Sequence, residues 1–425
     1  METQAYTAIA IFLITYAFII SEKIHRTIIA MLGGAAMLVF RIVDYEGALH
    51  HIDFNTLGLL TGMMIIVAIT ARTGLFKYLA IVSAQKVGGH PLKILVALSL
   101  ITAIGSAFLD NVTTVLLMVP VTFSITRQLQ VNPLPFLISE IIASNIGGTA
   151  TMIGDPPNIM IGNKVEELDF IDFIINLAGI AIFIMIITIA ILAFLYRKQV
   201  KTTDKLKKSI MNLDAADEIT DKRLLLKCMI VLAGTIIGFF LHSILDIESS
   251  VIAITGAFIL LYLVGESYIE DALEKVEWTT IFFFIGLFVL VSGLIETQII
   301  SLLADKALAF TGGDLTVTSM LILWMSAIAS AFVDNIPFVA TMIPMIQEMG
   351  YSMENIEPLW WSLALGACLG GNGSLIGASA NVIVAGLAAK EGHHITFVKF
   401  LLIGFPLMIL SIVIATFYIY LRYLF

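Results

Sequence analysis

Charge is scarce in this chain, and so are the side chains on which soluble enzymes most often rely. Of its 425 residues only 13% are charged and 59% are hydrophobic, with a mean hydropathy of +1.00, which excludes a soluble globular protein. The two cysteines, Cys228 and Cys368, both lie in apolar context and exclude a disulfide framework or a cysteine metal-ligand spacing. There is no HExxH, no GxxxxGKS or GxxxxGKT phosphate loop, and no GxGD around Asp110 or Asp334. Those absences argue against a zinc hydrolase, an ATP-driven pump and an intramembrane aspartyl protease, so the chain is read as a carrier and not an enzyme. No cofactor and no nucleic-acid partner is expected. The N-terminal segment METQAYTAIAIFLITYAFII has Glu2 where a signal peptide is basic, and it lacks a small-residue cleavage site before SEKIHR. It reads as a retained first span.

What is present is apolar sequence in long runs, about ten of them matching the roughly 17 to 25 residues that cross a bilayer. Full spans are placed at 5–21, 27–43, 54–72, 134–162 and 171–196, then at 224–243, 249–265, 277–295, 358–389 and 397–422. Between the third and fourth spans of each half lies another apolar stretch, 92–127 and 315–347, interrupted at its middle by Asp-Asn. Each reads as a re-entrant hairpin, because a polar turn at membrane depth is tolerable only against protein or a water-filled cavity. With the N-terminus outside, lysine and arginine divide 19 inside to 4 outside, the four being Arg41, Lys164, Lys306 and Arg422. This predicts an inner-membrane protein with both termini extracytoplasmic and a basic cytoplasmic linker at 197–223.

The chain also repeats itself. Residues 53–120 align without a gap on 277–344 at an offset of 224, with 18 of 68 positions identical. The identities concentrate at SAFLDN (106–111) and SAFVDN (330–335). At an offset of 223, GGTATMIGDPPN (147–158) then falls on GGNGSLIGASAN (370–381). Five spans per half is an odd number, so the second half enters the membrane upside down. The expected fold is an all-α polytopic membrane protein of two inverted-topology repeats, 1–196 and 224–425, each with a hairpin and a broken helix.

The glycine-rich interruptions within 134–162 and 358–389 predict where chemistry sits. Glycine lets a helix unwind, and Pro156 and Pro157 remove two amide donors. A break exposes amides at one half-helix end and carbonyls at the other, and paired breaks point to a midplane binding site. Candidate binding residues in the first half are Asp110, Asn111, Thr113, Ser144, Asn145, Gly147, Gly148, Thr149, Thr151, Asp155 and Asn158. In the second they are Asp334, Asn335, Gly370, Gly371, Asn372, Ser374, Ser379 and Asn381. Asn111, Asn145, Asn335 and Asn372 are candidates for holding a monovalent cation.

Asp110, Asp155 and Asp334 are the carboxylates expected at depth, where a charge needs a functional or pairing reason. Asp110 and Asp334 are proposed to exchange protons; the alternative is that each caps its own hairpin turn. Gly147, Gly148 and their partners have a plain alternative in close helix packing. The linker reads as a solvated loop, and His393 and His394 as an interfacial pair.

SAFLDN, SNIGGTATMIGDPPN and SAFVDNIPFVATMIP together resemble the arsenite/antimonite permease and sodium/proton antiporter group of the ion transporter superfamily, nearest in motif to its P-protein-like branch. The resemblance spans essentially the whole chain. It implies an elevator-like carrier, dimeric, with two hairpins and two broken helices moving against a scaffold of the remaining spans. It also implies coupling to H+ or Na+, an inorganic or small anionic solute with arsenite first, and, in the arsenical-pump type, a soluble ATPase subunit. The chain is more distantly similar to divalent-anion/sodium symporters, whose hairpin tips carry Ser-Asn-Thr. Here the tips read Asp110-Asn111-Val112 and Asp334-Asn335-Ile336. If ionised, such aspartates disfavour a dicarboxylate, because like charges a few ångströms apart in a low dielectric cost roughly several kcal/mol. Sodium/proton antiport and sodium-coupled di- or tricarboxylate transport are the alternatives within this class, and a channel or an intramembrane enzyme those outside it.

Overall fold

Apolar sequence in hydrocarbon must satisfy its backbone internally, and helices are how this chain does so. In a computed structural model, which describes residues 2–21 and 23–425, nine helices are long and apolar enough to cross a membrane among the described residues. Shorter apolar helices complete the set at Arg26–Val39, Leu134–Gly148, Ser249–Val264 and Ser379–Lys390. The helices sort by packing into two groups. One contains Glu2–Ser21, Arg26–Val39, Phe54–Ala71, Lys222–Leu245, Ser249–Val264 and Trp278–Glu296.

Within that group Phe54–Ala71 lies on Ser249–Val264, and Trp278–Glu296 lies on Arg26–Val39. Each crossing turns on a glycine that the sequence repeat matches with its counterpart. A Cβ on Gly62 would come within 2.5 Å of the Ala253 backbone, and one on Gly286 within 2.5 Å of the Ala30 backbone. Only a residue without a side chain permits backbones so close.

The second group holds two helical hairpins and two broken helices. Pro91–Phe108 turns at Leu109 and Asp110 into Asn111–Leu129, and Leu315–Phe332 turns at Val333 and Asp334 into Asn335–Met349. Leu134–Gly148 stops and restarts as Pro156–Lys164; Glu357–Gly370 stops and restarts as Ser379–Lys390. The first arm of each hairpin packs along the first half of the broken helix next in the chain.

Two features depart from the sequence reading. Helices at Leu75–Lys86 and Ile299–Thr311 precede the two hairpins, and both are too short and too mixed in polarity for a search based on long apolar runs. The linker is not simply a solvated loop, since it folds into a helix at Asp204–Met211 that buries Ile210. Gln85 donates to the Leu213 carbonyl at 2.7 Å and Thr202 to the Leu129 carbonyl at 2.6 Å, tying the linker to the Leu75–Lys86 helix and to the first hairpin.

Candidate ion and solute site

The two hairpin tips and the two helix breaks meet, and each tip is held by bonds that the halves share. Ser106 Oγ donates to the Ser144 carbonyl and Ser330 Oγ to the Ala367 carbonyl, both at 2.7 Å. Thr151 Oγ1 bonds the Ala107 carbonyl and Ser374 Oγ the Ala331 carbonyl, fixing each break to its tip. Each break is spanned by an asparagine. Asn158 donates to the carbonyls of Thr149 and Thr151 at 3.2 and 2.9 Å, and Asn381 to those of Gly371 and Ser374 at 2.7 and 2.9 Å. A Cβ on Gly147 would lie 2.2 Å from the Ala103 carbonyl oxygen, and one on Gly370 2.6 Å from that of Ala327. These two glycines therefore let hairpin and broken helix touch backbone to backbone. Of the residues picked out from sequence, Ser144, Thr149, Thr151, Ser374 and Asn158 spend their donor groups on backbone carbonyls.

Inside this repeated frame the lining differs between halves. Asp155 is fully buried at the start of Pro156–Lys164. A carboxylate at a helix N-terminus ordinarily accepts from the first amides. Pro156 is a residue without an amide hydrogen, and so is Pro157. Asp155 makes no cap bond and turns to the tips, accepting from Asn111 Nδ2 and Asn335 Nδ2, both at 3.3 Å. Asn111 also donates to Asn145 at 3.2 Å, and Asn145 to Asn372 and Asn381 at 2.9 and 3.0 Å. Residues from both hairpins and both breaks thus form one buried network.

The tip aspartates behave differently because their turns offer different donors. Thr113 gives Asp110 both an amide, at 2.9 Å, and a hydroxyl, so both oxygens of that carboxylate are occupied within its own turn. The corresponding residue, Pro337, has neither donor. Asp334 takes only the Ile336 amide, at 3.1 Å, through Oδ1. Its Oδ2 accepts from Ser379 Oγ at 2.8 Å and pairs with Arg26, which comes from the first group of helices. Arg26 also donates to Ser379 at 2.7 Å and lies 4.9 Å over the Phe283 ring. Proton exchange and turn capping were the two readings of the sequence; both aspartates cap, and Asp334 pairs as well.

Sequence reasoning placed three carboxylates at depth and missed Glu277 and Glu140. Glu277 lines, with Arg26, Asp110, Asn111, Asp155 and Asn335, a void of about 20 Å³ between the tips, room for about one water-sized species. Beside it opens a cavity of about 540 Å³, bounded by His25, Arg26, Glu277, Thr280, Asp334 and Ser379. Arg26 entered the sequence reading only as one count among the inside charges, since a lone arginine heading an apolar helix carries no local signal of its partner. Among the described residues no cluster of three or more His, Cys, Asp or Glu side chains is disposed to hold a metal ion. Cys368 is buried and donates to Asn158 at 3.4 Å.

With this geometry in hand, comparisons place the chain among known proteins. The citrate transporter family, CitMHS, matches residues 16–366. The 46 kDa membrane protein of Mycobacterium leprae is 40% identical over 424 residues, covering 98% of both chains. An uncharacterized transporter of Mycobacterium tuberculosis is 40% identical over 427 residues, covering 99% of both. The human P protein is 36% identical over 503 aligned residues, which take in 99% of this chain and 60% of that longer protein. In fold, the crystal structure of the Alcanivorax borkumensis YdaH transporter is similar with a TM-score of 0.60 over 98% of this chain and 97% of that one, at 14% identity.

Proposed function

The chain belongs to the citrate transporter family, and we propose that this multi-pass secondary transporter couples solute movement to protons or sodium at the junction of its hairpin tips and helix breaks. The observation that carries the reading is Asp155, a fully buried carboxylate held between asparagines of both hairpins. Asp110, Asp334 and Glu277 stand around it with one guanidinium among the described lining residues, so a proton or cation entering the small void compensates charge that the protein itself leaves uncompensated. Asp110, Asp334 and Asp155 are the groups we assign to coupling, with Asn111, Asn145, Asn335 and Asn372 supplying neutral oxygens to a monovalent cation.

For transport we propose an elevator motion. The hairpins and broken helices move as one body against the helices that carry Arg26, and the two halves are inverted-topology repeats. The inner membrane, extracytoplasmic termini and a homodimer belong to the same reading. Arsenite export is the first solute to test on resemblance, with the soluble ATPase partner of the arsenical-pump type as its corollary. A di- or tricarboxylate is the second reading, favoured by Arg26: its guanidinium faces the open cavity and matches a carboxylate in shape and charge. Sodium/proton antiport without a further solute is the third.

Purified protein reconstituted in vesicles with an internal pH dye decides among them. Proton movement is expected on adding one of sodium, lithium, arsenite, citrate or succinate, uphill when a second ion gradient drives it. Silence toward every solute in an oriented preparation of folded protein overturns the coupled-carrier reading, and flux that neither saturates nor runs uphill makes the protein a channel.

A further inference from the structure

Glu140 has no part in the hairpin-tip site, yet it is fully buried in the first half of the first broken helix. Its position in the repeat is occupied by Leu363 in the second half, so the fold itself does not call for a carboxyl group there. One oxygen, Oε1, accepts from Thr122 Oγ1 of the adjacent hairpin arm. The other, Oε2, is buried with no partner, and an acidic side chain so placed in an apolar helix is a functional-site candidate by default. Helices packed on this one, Pro91–Phe108, Asn111–Leu129, Gly179–Tyr196, Glu357–Gly370 and Ser379–Lys390, carry Lys93, Arg127, Tyr196, Glu357, Cys368 and Lys390. None of these hydrogen-bonds or forms an ion pair with Glu140, and Lys93, Arg127, Glu357 and Lys390 are exposed.

The hairpin arm that carries Thr122 continues to an open cavity. Thr126 lies one helical turn beyond Thr122, donates to the Thr122 carbonyl at 2.7 Å, and lines a cavity of about 400 Å³ whose rim carries Arg127, His393 and His394. We propose that Glu140 is a proton-binding site separate from the hairpin-tip site, loaded from this cavity past the hydroxyls of Thr126 and Thr122. The proton passes from water to Oε2 and returns by the same way, and no other bond is made or broken. The Thr122 hydroxyl steadies the ionised form, and Oε2 receives the proton. Such a site requires only that the chain is a membrane carrier; it does not depend on which solute is carried or on Asp155.

Infrared difference spectroscopy of the reconstituted full-length protein, stepped in pH, reads protonated carboxyl groups directly and without a solute. One pH-dependent carboxyl band is expected to vanish in Glu140→Gln and to survive in Asp155→Asn. Thr122→Val, which keeps the carboxyl group and removes its donor, should displace the midpoint of that band by about one pH unit. Glu140→Leu, which installs the residue of the other half, is expected to fold with the parent's thermal stability. A spectrum unchanged by Glu140→Gln, or a midpoint unmoved by Thr122→Val, overturns the proposal. Loss of the band only in Asp155→Asn assigns it to the hairpin-tip site and overturns it too.

Discussion

The two halves agree where they hold the backbone and differ at most other positions around the void, the tip asparagines Asn111 and Asn335 being common to both. Ser106 and Ser330, Thr151 and Ser374, Asn158 and Asn381, and Gly147 and Gly370 make corresponding contacts in each half. Other positions of the tips and breaks have diverged: Asn145 stands opposite Cys368, Thr149 opposite Asn372, Asp155 opposite Ala378, Pro156 opposite Ser379 and Thr113 opposite Pro337. A frame that must satisfy the same unpaired carbonyls twice constrains the same residues twice. A single site shared between two halves has no such demand, because each group need be supplied only once. The result is one buried carboxylate at a break, one tip aspartate that only caps its turn and one that caps and is ion-paired.

Substitutions put that contrast between frame and lining to the test. The largest effect is expected for Asp155→Asn, where losing the charge to which we assign the cation, about 3 kcal/mol, lowers coupled proton movement roughly 100-fold in the vesicle assay. Moving the carboxylate across the repeat, Asp155→Ala with Ala378→Asp, should not restore it; recovery would show that the halves are interchangeable. Next come Gly147→Leu and Gly370→Leu. Each drives a side chain into a carbonyl oxygen, at about 3 kcal/mol or more of strain, and thermal unfolding in detergent should show both strongly destabilised. Survival of either would mean that its hairpin does not need the close approach.

A smaller effect is expected at the tips, and it should be unequal. Asp334→Asn removes a partner from Arg26, 27% exposed, and is expected to lower stability by about 1–2 kcal/mol, discounted for exposure. Asp110→Asn keeps an acceptor for the Thr113 amide and should cost less than about 1 kcal/mol. Equal losses would put a charged partner beside Asp110 as well. The smallest effects belong to the frame: Ser106→Ala and Ser330→Ala should each cost about 1 kcal/mol and match one another. A clear difference between those two, read by the same unfolding curves, would mean the frame is not doubly determined.

The membrane class, the paired hairpins and the paired breaks were legible in the sequence, because each rests on a local signal. Apolar run length sets what crosses a bilayer, Asp-Asn inside such a run forces a turn, and Gly with Pro-Pro stops a helix. The repeat added which of those signals correspond. It also marked Asp110, Asp155 and Asp334 as residues at depth, and the structure brings all three to one place. What the sequence did not carry was partnership. Arg26 is 308 residues from Asp334, and nothing near either names the other. Glu140 reads as one polar residue in an apolar helix, with its donor on another element. The short helices before the hairpins have too little apolar length to register.

Sequence alone therefore established a membrane protein with a repeated pattern of hairpins and breaks, since hydrophobic length, helix breakers and repetition are properties of a chain read in order. It took the tertiary structure to fix which aspartate only caps, which is paired besides and which is left between two asparagines. Those outcomes depend on which donors lie within about 3 Å, and distance across a fold is not written in spacing along a chain.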